Sequence, residues 1–260
     1  MTLPAVVQDP CTPPLNVAAI SRAFHVLPKI QTVNCGSLRC ISSRANGHGK
    51  SVFKDAKSAE FLAAVGDKAS LPFLGGIPEV VVTGRANVGK SSLLNSVVGR
   101  RDLLFTSKKA GRTQTLNFFR VGSHPGRLVV VDSPGYGARG RPEWGALFNH
   151  YLESRKQLCR VFILISAPHG MGATDEAMLS SLNAQIQSFD DTRWTLQAII
   201  TRADALKTNG RTQINEIEQD IFRIAPMCLP PIITSCPSGG IAFGIDEVRK
   251  SISHACGIVP

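Results

Sequence analysis

The sequence predicts an α/β fold built around a largely parallel sheet. Three observations carry that reading. Short apolar runs alternate with segments of helical periodicity from residue 77 onward. Strands separated by helices run parallel, because each crossover returns the chain to the same end of the sheet. A glycine-rich turn at 84–91 stands between the first apolar run and the first helix. Two runs, 117–121 and 127–131, are joined by Ser123-His124-Pro125-Gly126. That turn is too short for a crossover, so it marks one antiparallel edge.

The elements follow in order. Residues 77–83 are a β-branched run and form the first strand, and a helix at 90–98 follows the glycine turn. The antiparallel pair comes next. In 143–158, Trp144, Leu147, Phe148, Tyr151 and Leu152 recur at three- and four-residue spacing, the mark of a helix with one apolar face. Residues 160–166 are a short apolar run, the pattern of a buried strand. A helix at 174–189 is capped by Thr174 and carries acids in its first turn, where the helix dipole favours them. A strand at 194–201, a helix at 210–224, a short strand at 231–234 and a helix at 246–255 complete the pattern.

Composition narrows the class further. The chain has 260 residues, 43% of them hydrophobic and 18% charged, with a formal net charge of +10. It is long enough to bury a core without disulfides. No apolar run approaches the length of a membrane span. Seven cysteines form no C-x-x-C pair and no zinc-like spacing, which disfavours a disulfide framework and a structural zinc site. The positive excess favours a polyanionic partner.

Gly84-Arg85-Ala86-Asn87-Val88-Gly89-Lys90-Ser91 fits the phosphate-loop pattern G-x-x-x-x-G-K-[ST] in its proper strand–helix context. The glycines allow the tight turn, and the N–H groups from Asn87 to Ser92 face phosphate at a helix N-terminus. Lys90 reaches the β- and γ-phosphates, and the Ser91 hydroxyl binds Mg2+. Asp132-Ser133-Pro134-Gly135 ends an apolar run; the Asp132 carboxylate holds Mg2+ and the Gly135 N–H contacts the γ-phosphate. Thr201-Arg202-Ala203-Asp204 follows another strand. The Asp204 carboxylate there accepts both N1–H and N2–H of guanine, with a plain helix cap as the other reading. Ser235-Cys236 follows the last strand and is placed for backbone contact with the guanine oxygen. Their order at successive strand ends specifies a GTPase rather than a P-loop kinase or ATPase.

These residues resemble the EngB/YihA GTPases. The stretch from Gly84 to Asn95 looks like the family's phosphate loop. Gly111-Arg112-Thr113-Gln114-Thr115-Leu116-Asn117-Phe118-Phe119 resembles its switch I, and Asp132-Ser133-Pro134-Gly135-Tyr136-Gly137 its switch II. The resemblance implies a Ras-like three-layer αβα fold with a mostly parallel six-stranded sheet and one antiparallel edge strand. It implies GTP hydrolysis to GDP and phosphate as a switch in assembly of the large ribosomal subunit. It assigns Gly111, Arg112 and Thr113 to the nucleotide, with Thr113 completing the Mg2+ shell formed by Ser91 and Asp132. Tyr136 stands where Ras-type enzymes place a water-positioning glutamine. Related enzymes hold K+ through the phosphate-loop asparagine, here Asn87, which otherwise stabilises the loop by hydrogen bonding. Catalysis thus falls to Lys90, Thr113 and Asn87. Two departures stand out: Arg202 replaces the usual lysine of guanine recognition, and Ser166-Ala167-Pro168 replaces a common Asp-x-Arg.

The charge is unevenly placed. Residues 100–160 hold twelve basic and four acidic side chains, whereas 161–260 hold seven basic and ten acidic. The basic block spans the switches, which points to RNA binding gated by nucleotide state, with a merely solvated basic face as the other reading. The resemblance implies that this RNA is ribosomal RNA in a large-subunit precursor. Residues 1–54 carry six basic residues, one acid and five prolines, a composition resembling a mitochondrial transit peptide; a plastid leader or a disordered tail of a cytosolic protein are the alternatives. The expected organisation is a leader at 1–54, an extension or linker at 55–76 and a GTPase domain at 77–260, monomeric and not inserted in a membrane. A GTP-binding scaffold with negligible hydrolysis is the competing function.

Overall fold

The computed structural model describes residues 52–53, 59–100, 103, 115–123, 126–137, 142–188, 194–207, 209–237 and 240–258. The chain parts into two units, Met1–Asn46 and Gly47–Pro260, and every described residue lies in the second. The leader, and with it most of the stretch 1–54, lies outside the described residues, as do Gly111, Arg112 and Thr113.

Among the described residues the order is β1 (Glu60–Val65), β2 (Glu79–Gly84), α1 (Lys90–Val98), β3 (Leu116–Val121), β4 (Leu128–Asp132), α2 (Pro142–Ser154), β5 (Leu158–Ser166), α3 (Ala173–Ser188), β6 (Thr195–Thr201), α4 (Gly210–Ile224), β7 (Cys228–Ile233) and α5 (Ile245–Ala255). The strands form one sheet in the order β1-β3-β4-β2-β5-β6-β7. β4, β2, β5, β6 and β7 pair in parallel, while β3 runs against β4 and β1 against β3. The α/β class, the parallel sheet and the antiparallel edge follow the sequence. The strand count does not: seven strands stand where six were expected.

The added strand is β1. It lies within 55–76, the stretch expected to be an extension or linker, and it covers the outer edge of β3. Its sequence hides it. Glu60 and Phe61 are exposed, Ala63 and Ala64 are weak strand formers, and a bulge between Phe61 and Ala63 breaks the period of two. Two other boundaries move by three or more residues. α2 ends at Ser154 rather than at 158, because Leu158 already pairs with Glu79 in the sheet. β7 begins at Cys228 and carries Pro230 and Pro231, which an edge strand tolerates because one row of its backbone groups needs no partner.

Two apolar layers flank the sheet. One packs Leu147, Tyr151, Leu179, Leu182, Ile217 and Ile221 of α2, α3 and α4 against alternate residues of β2, β4, β5 and β6. The other packs Leu93, Leu94, Val97, Val248 and Ile252 of α1 and α5 against the opposite set. Strands buried on both faces read as continuous apolar runs, which is why β4 and β5 were visible in the sequence. The C-terminal ends of β2, β4 and β6 open at one rim of the sheet, where loops meet helix N-termini. No helix among the described residues is long and apolar enough to cross a membrane.

Candidate functional site

β2 delivers the chain into the phosphate loop. Gly84 ends the strand, Asn87 sits at φ 62°, and Gly89 at φ 107°. The last value lies in the left-handed region that glycine adopts without strain. Gly89 caps α1 and, having no side chain, offers no capping hydrogen bond to the N–H groups of the first turn. Lys90, Ser91 and Ser92 supply those groups; Ser91 is half-buried and Ser92 exposed. β6 braces the loop from the side: Thr201 Oγ1 donates to the Val88 carbonyl at 2.7 Å. Thr201 therefore supports the loop directly, rather than standing at its open face.

At the centre are Lys90 and Asp132, both buried. Lys90 Nζ donates to the Gly84 carbonyl at 3.4 Å, a long bond. Burial pushes the Lys90 ammonium below its ordinary value, with Asp132 opposing. Burial pushes the Asp132 carboxyl up to about 6, with Lys90 pulling it back only in part. Asp132 Oδ1 is buried without a hydrogen-bond partner among the described residues. An orphaned carboxylate oxygen, together with a hydroxyl at the start of α1, is a donor set for a hard, oxygen-loving cation. The residues present thus fit Mg2+ held through Asp132 and Ser91. Thr113 lies outside the described residues.

A pH dependence follows. A cation binds the ionised carboxylate, so Mg2+-dependent nucleotide affinity is expected to fall as the pH drops through about 6. The metal-free chain behaves oppositely. Its Asp132 is protonated more readily folded than unfolded, so between about pH 4 and 6 the folded state holds the extra proton and stability declines as the pH rises. Thermal unfolding of metal-free protein from pH 4.5 to 7 checks this, and Asp132→Asn should flatten the slope.

The base end is built from β6 and β7. Arg202 sits at φ 58° with an exposed side chain, and its Nε lies 3.9 Å from where a Cβ on Gly89 would stand. Asp204 follows in a short 3-10 turn, exposed, with one oxygen held by the Ser235 hydroxyl at 2.6 Å. Ser235 also pairs with Phe243 through both backbone groups, while Cys236 is half-buried beside α1 and burial pushes its thiol up. Asp204, Ser235 and the phosphate loop are thus brought to one rim. The helix-cap reading of Asp204 does not hold: its carboxylate accepts from Ser235, and α4 begins further on, at Gly210.

The basic block looks different in three dimensions. Arg160 is buried and bonds to Thr195, Gln197 and Ser251. Arg155 pairs with Glu79, Arg120 with Glu60, and Arg100 donates to the Ala59 carbonyl. These four hold the fold together, and Arg101, Lys108, Lys109, Arg112, Arg139 and Arg141 lie outside the described residues. The count of twelve therefore overstates the basic surface.

Sequence reasoning missed Asp175. This first-turn residue of α3 is fully buried and meets both Arg85 of the phosphate loop and Tyr136 of switch II. A first-turn acid resembles an ordinary dipole partner, and nothing local in the sequence marked it otherwise.

Comparison with known proteins agrees with this geometry. Residues 79–200 match the family model described as 50S ribosome-binding GTPase. A "Probable GTP-binding protein EngB" from Chelativorans sp. (strain BNC1) is 37% identical over 192 residues, covering 69% of this chain and 81% of that protein. Its counterpart from Ruegeria sp. (strain TM1040) is 36% identical over 211 residues, covering 79% and 91%. The chain belongs to the EngB family. It is a P-loop GTPase. Among solved structures, Toc33 from Arabidopsis thaliana with Mg2+ and GMPPNP aligns with a TM-score of 0.51 at 14% identity, over 70% of this chain and 85% of that one. Era in complex with MgGDPNP and nucleotides 1506–1542 of 16S ribosomal RNA aligns with a TM-score of 0.50 at 21% identity, over 71% of this chain. The chain spans 57% of that Era chain. These two likenesses concern the fold.

Proposed function

We propose that this EngB-family GTPase hydrolyses GTP to GDP and phosphate as a switch in assembly of the large ribosomal subunit, in mitochondria, on ribosomal RNA. The observation that carries the GTP reading is the buried Lys90–Asp132 pair. Each charge is poorly compensated in the protein alone, and a nucleotide phosphate with its metal completes both. Lys90 binds the phosphates, Ser91 and Asp132 hold Mg2+, and Asp204 with Ser235 orients guanine. Mg2+, when bound, neutralises charge on the phosphate oxygens. Gly135 N–H orients the γ-phosphate. The family description supports a large-subunit target. The composition of 1–54 supports the mitochondrial reading, with plastid or cytosol as the alternative.

One observation favours a second reading, a scaffold that binds GTP with negligible hydrolysis. Tyr136, at the position of the water-positioning glutamine, already donates its hydroxyl to Asp175. K+ held by Asn87 would answer that objection by supplying the missing positive charge.

The test is to purify the tagged full chain from cells on a non-hydrolysable GTP analogue and sequence the RNA that accompanies it. Large-subunit RNA in the GTP-analogue state and not in the GDP state is expected, from a mitochondrial fraction. Turnover is expected to rise in K+ over Na+ buffer. Equal RNA recovery in both nucleotide states would sink the switch. Turnover absent even with K+ and ribosomal particles would leave the scaffold.

A further inference from the structure

One buried carboxylate joins three parts of the molecule that the sequence keeps apart. Asp175 Oδ2 receives Arg85 Nε at 2.9 Å and the Gly172 N–H at 3.1 Å. Its Oδ1 receives the Tyr136 hydroxyl at 2.9 Å. Arg85 also reaches the Gly170 carbonyl at 3.5 Å. The phosphate loop, switch II and the connection between β5 and α3 therefore meet on one side chain with no solvent exposure. Switch II is further laid along the loop by its backbone. Tyr136 N–H donates to the Gly84 carbonyl at 3.3 Å, and a Cβ on Gly135 would come within 3.0 Å of the Ala86 nitrogen.

This arrangement decides what Tyr136 does. Burial, with Asp175 beside it, keeps the phenol protonated well above its ordinary range. Tyr136 is thus a standing donor to a standing acceptor. Arg85 supplies the positive charge that makes a buried carboxylate tolerable there, and its pull raises the strength of the whole set. The phenol points to α3 and is not available to orient a water. On the functional reading above, the glycine immediately before it carries the N–H that would meet the γ-phosphate.

We infer that Asp175 is a positioning residue for the GTPase reaction: through Tyr136 and Arg85 it sets Gly135 against the phosphate loop, so that the site distinguishes GTP from GDP. The inference rests on the GTP-binding reading above. The geometry gives it a direction. GDP lacks the phosphate that Gly135 meets, so loosening this latch weakens the GTP state and spares the GDP state.

The experiment uses the full chain and three variants: Tyr136→Phe, Asp175→Asn and both together. Affinities for GDP and for a non-hydrolysable GTP analogue are measured, with single-turnover hydrolysis beside them. Each single variant is expected to lose about tenfold in GTP-analogue affinity and in turnover, the scale of one hydrogen bond to a charged group. GDP affinity is expected to stay within about twofold, and the double variant to be no worse than the poorer single. Equal losses for GDP and the GTP analogue, or losses that multiply in the double variant, would overturn the latch. Should Asp175→Asn fail to fold, Tyr136→Phe decides alone, since it removes one oxygen and keeps the ring. A wild-type chain that binds no GTP analogue overturns the functional reading; a wild type that binds, with Tyr136→Phe indistinguishable from it, overturns the latch only.

Discussion

Replacing Lys90 with alanine is expected to lower GTP affinity at least about a hundredfold while moving the thermal midpoint of the nucleotide-free chain by only a few degrees. A hundredfold is about 2.7 kcal/mol, the scale of one or two charge-assisted hydrogen bonds. The asymmetry comes from how poorly the fold itself uses the charge. Lys90 is buried, yet among the described residues its ammonium makes one long bond, to the Gly84 carbonyl, and burial pushes its proton affinity down despite Asp132 nearby. A desolvated ammonium with so little compensation contributes little to folding. Phosphate oxygens supply what is missing, so the interaction appears only with ligand. Lys90→Arg keeps the charge but replaces a compact ammonium with a wider planar fork at a buried position, so it should lose binding as well. The variant also reports on Asp132. With its one opposing cation gone, the Asp132 carboxyl should rise further, and the pH at which Mg2+ begins to help binding should move upward. Titration with a fluorescent GTP analogue at several pH values measures both effects. Affinity within tenfold of wild type would place the phosphate elsewhere.

The same contrast explains what could be read without coordinates. The phosphate loop was legible because its backbone dictates its sequence: Gly89 takes a left-handed φ, and α1 must start bare for its N–H groups to face a ligand. Asp132 and Asp204 were legible because one ends a strand and the other follows one, and the strands announce themselves. The central strands are apolar on both faces, so no alternate pattern had to be resolved. Residues that work by reaching across the fold left no such trace. Asp175 has the appearance of any acid in a helix's first turn, yet it accepts from three donors on different elements. Arg155 and Arg160 entered a count of surface charge and turned out to face inward. β1 escaped notice because an edge strand with a bulge and two alanines has little period to show. Local chemistry was visible in the sequence, and long-range electrostatics was not.

Glu79 is the strongest case of the second kind, and Glu79→Gln is expected to destabilise the chain by about 3–5 kcal/mol. The residue opens β2 inside an apolar run, and its side chain is fully buried. Arg155 Nε lies 3.0 Å from each carboxylate oxygen, and Nη2 stands 2.8 Å from Oε1 as an ion-pair contact rather than an aligned hydrogen bond. The Tyr151 hydroxyl donates to Oε2 at 2.8 Å. Arg155 also lies 5.7 Å over the Phe118 ring, which meets Tyr151 edge-on at 6.0 Å. One carboxylate therefore anchors the end of α2 to β2 and β3. Glutamine keeps the shape and one acceptor for Tyr151, but it leaves the guanidinium largely buried without a counter-charge. In a domain of this size the loss should lower the thermal midpoint by on the order of 10 °C. The nucleotide site should be spared below that midpoint. Glu79 and Gly84 stand at opposite ends of β2, roughly 17 Å apart at the usual rise per residue. Adding Arg155→Met to Glu79→Gln should recover much of the loss, because the stranded charge is then gone and an unbranched apolar side chain fills its track. If the double variant were instead as unstable as the two singles combined, the ion pair would not be the source of the effect, and the packing of α2 on Phe118 would be.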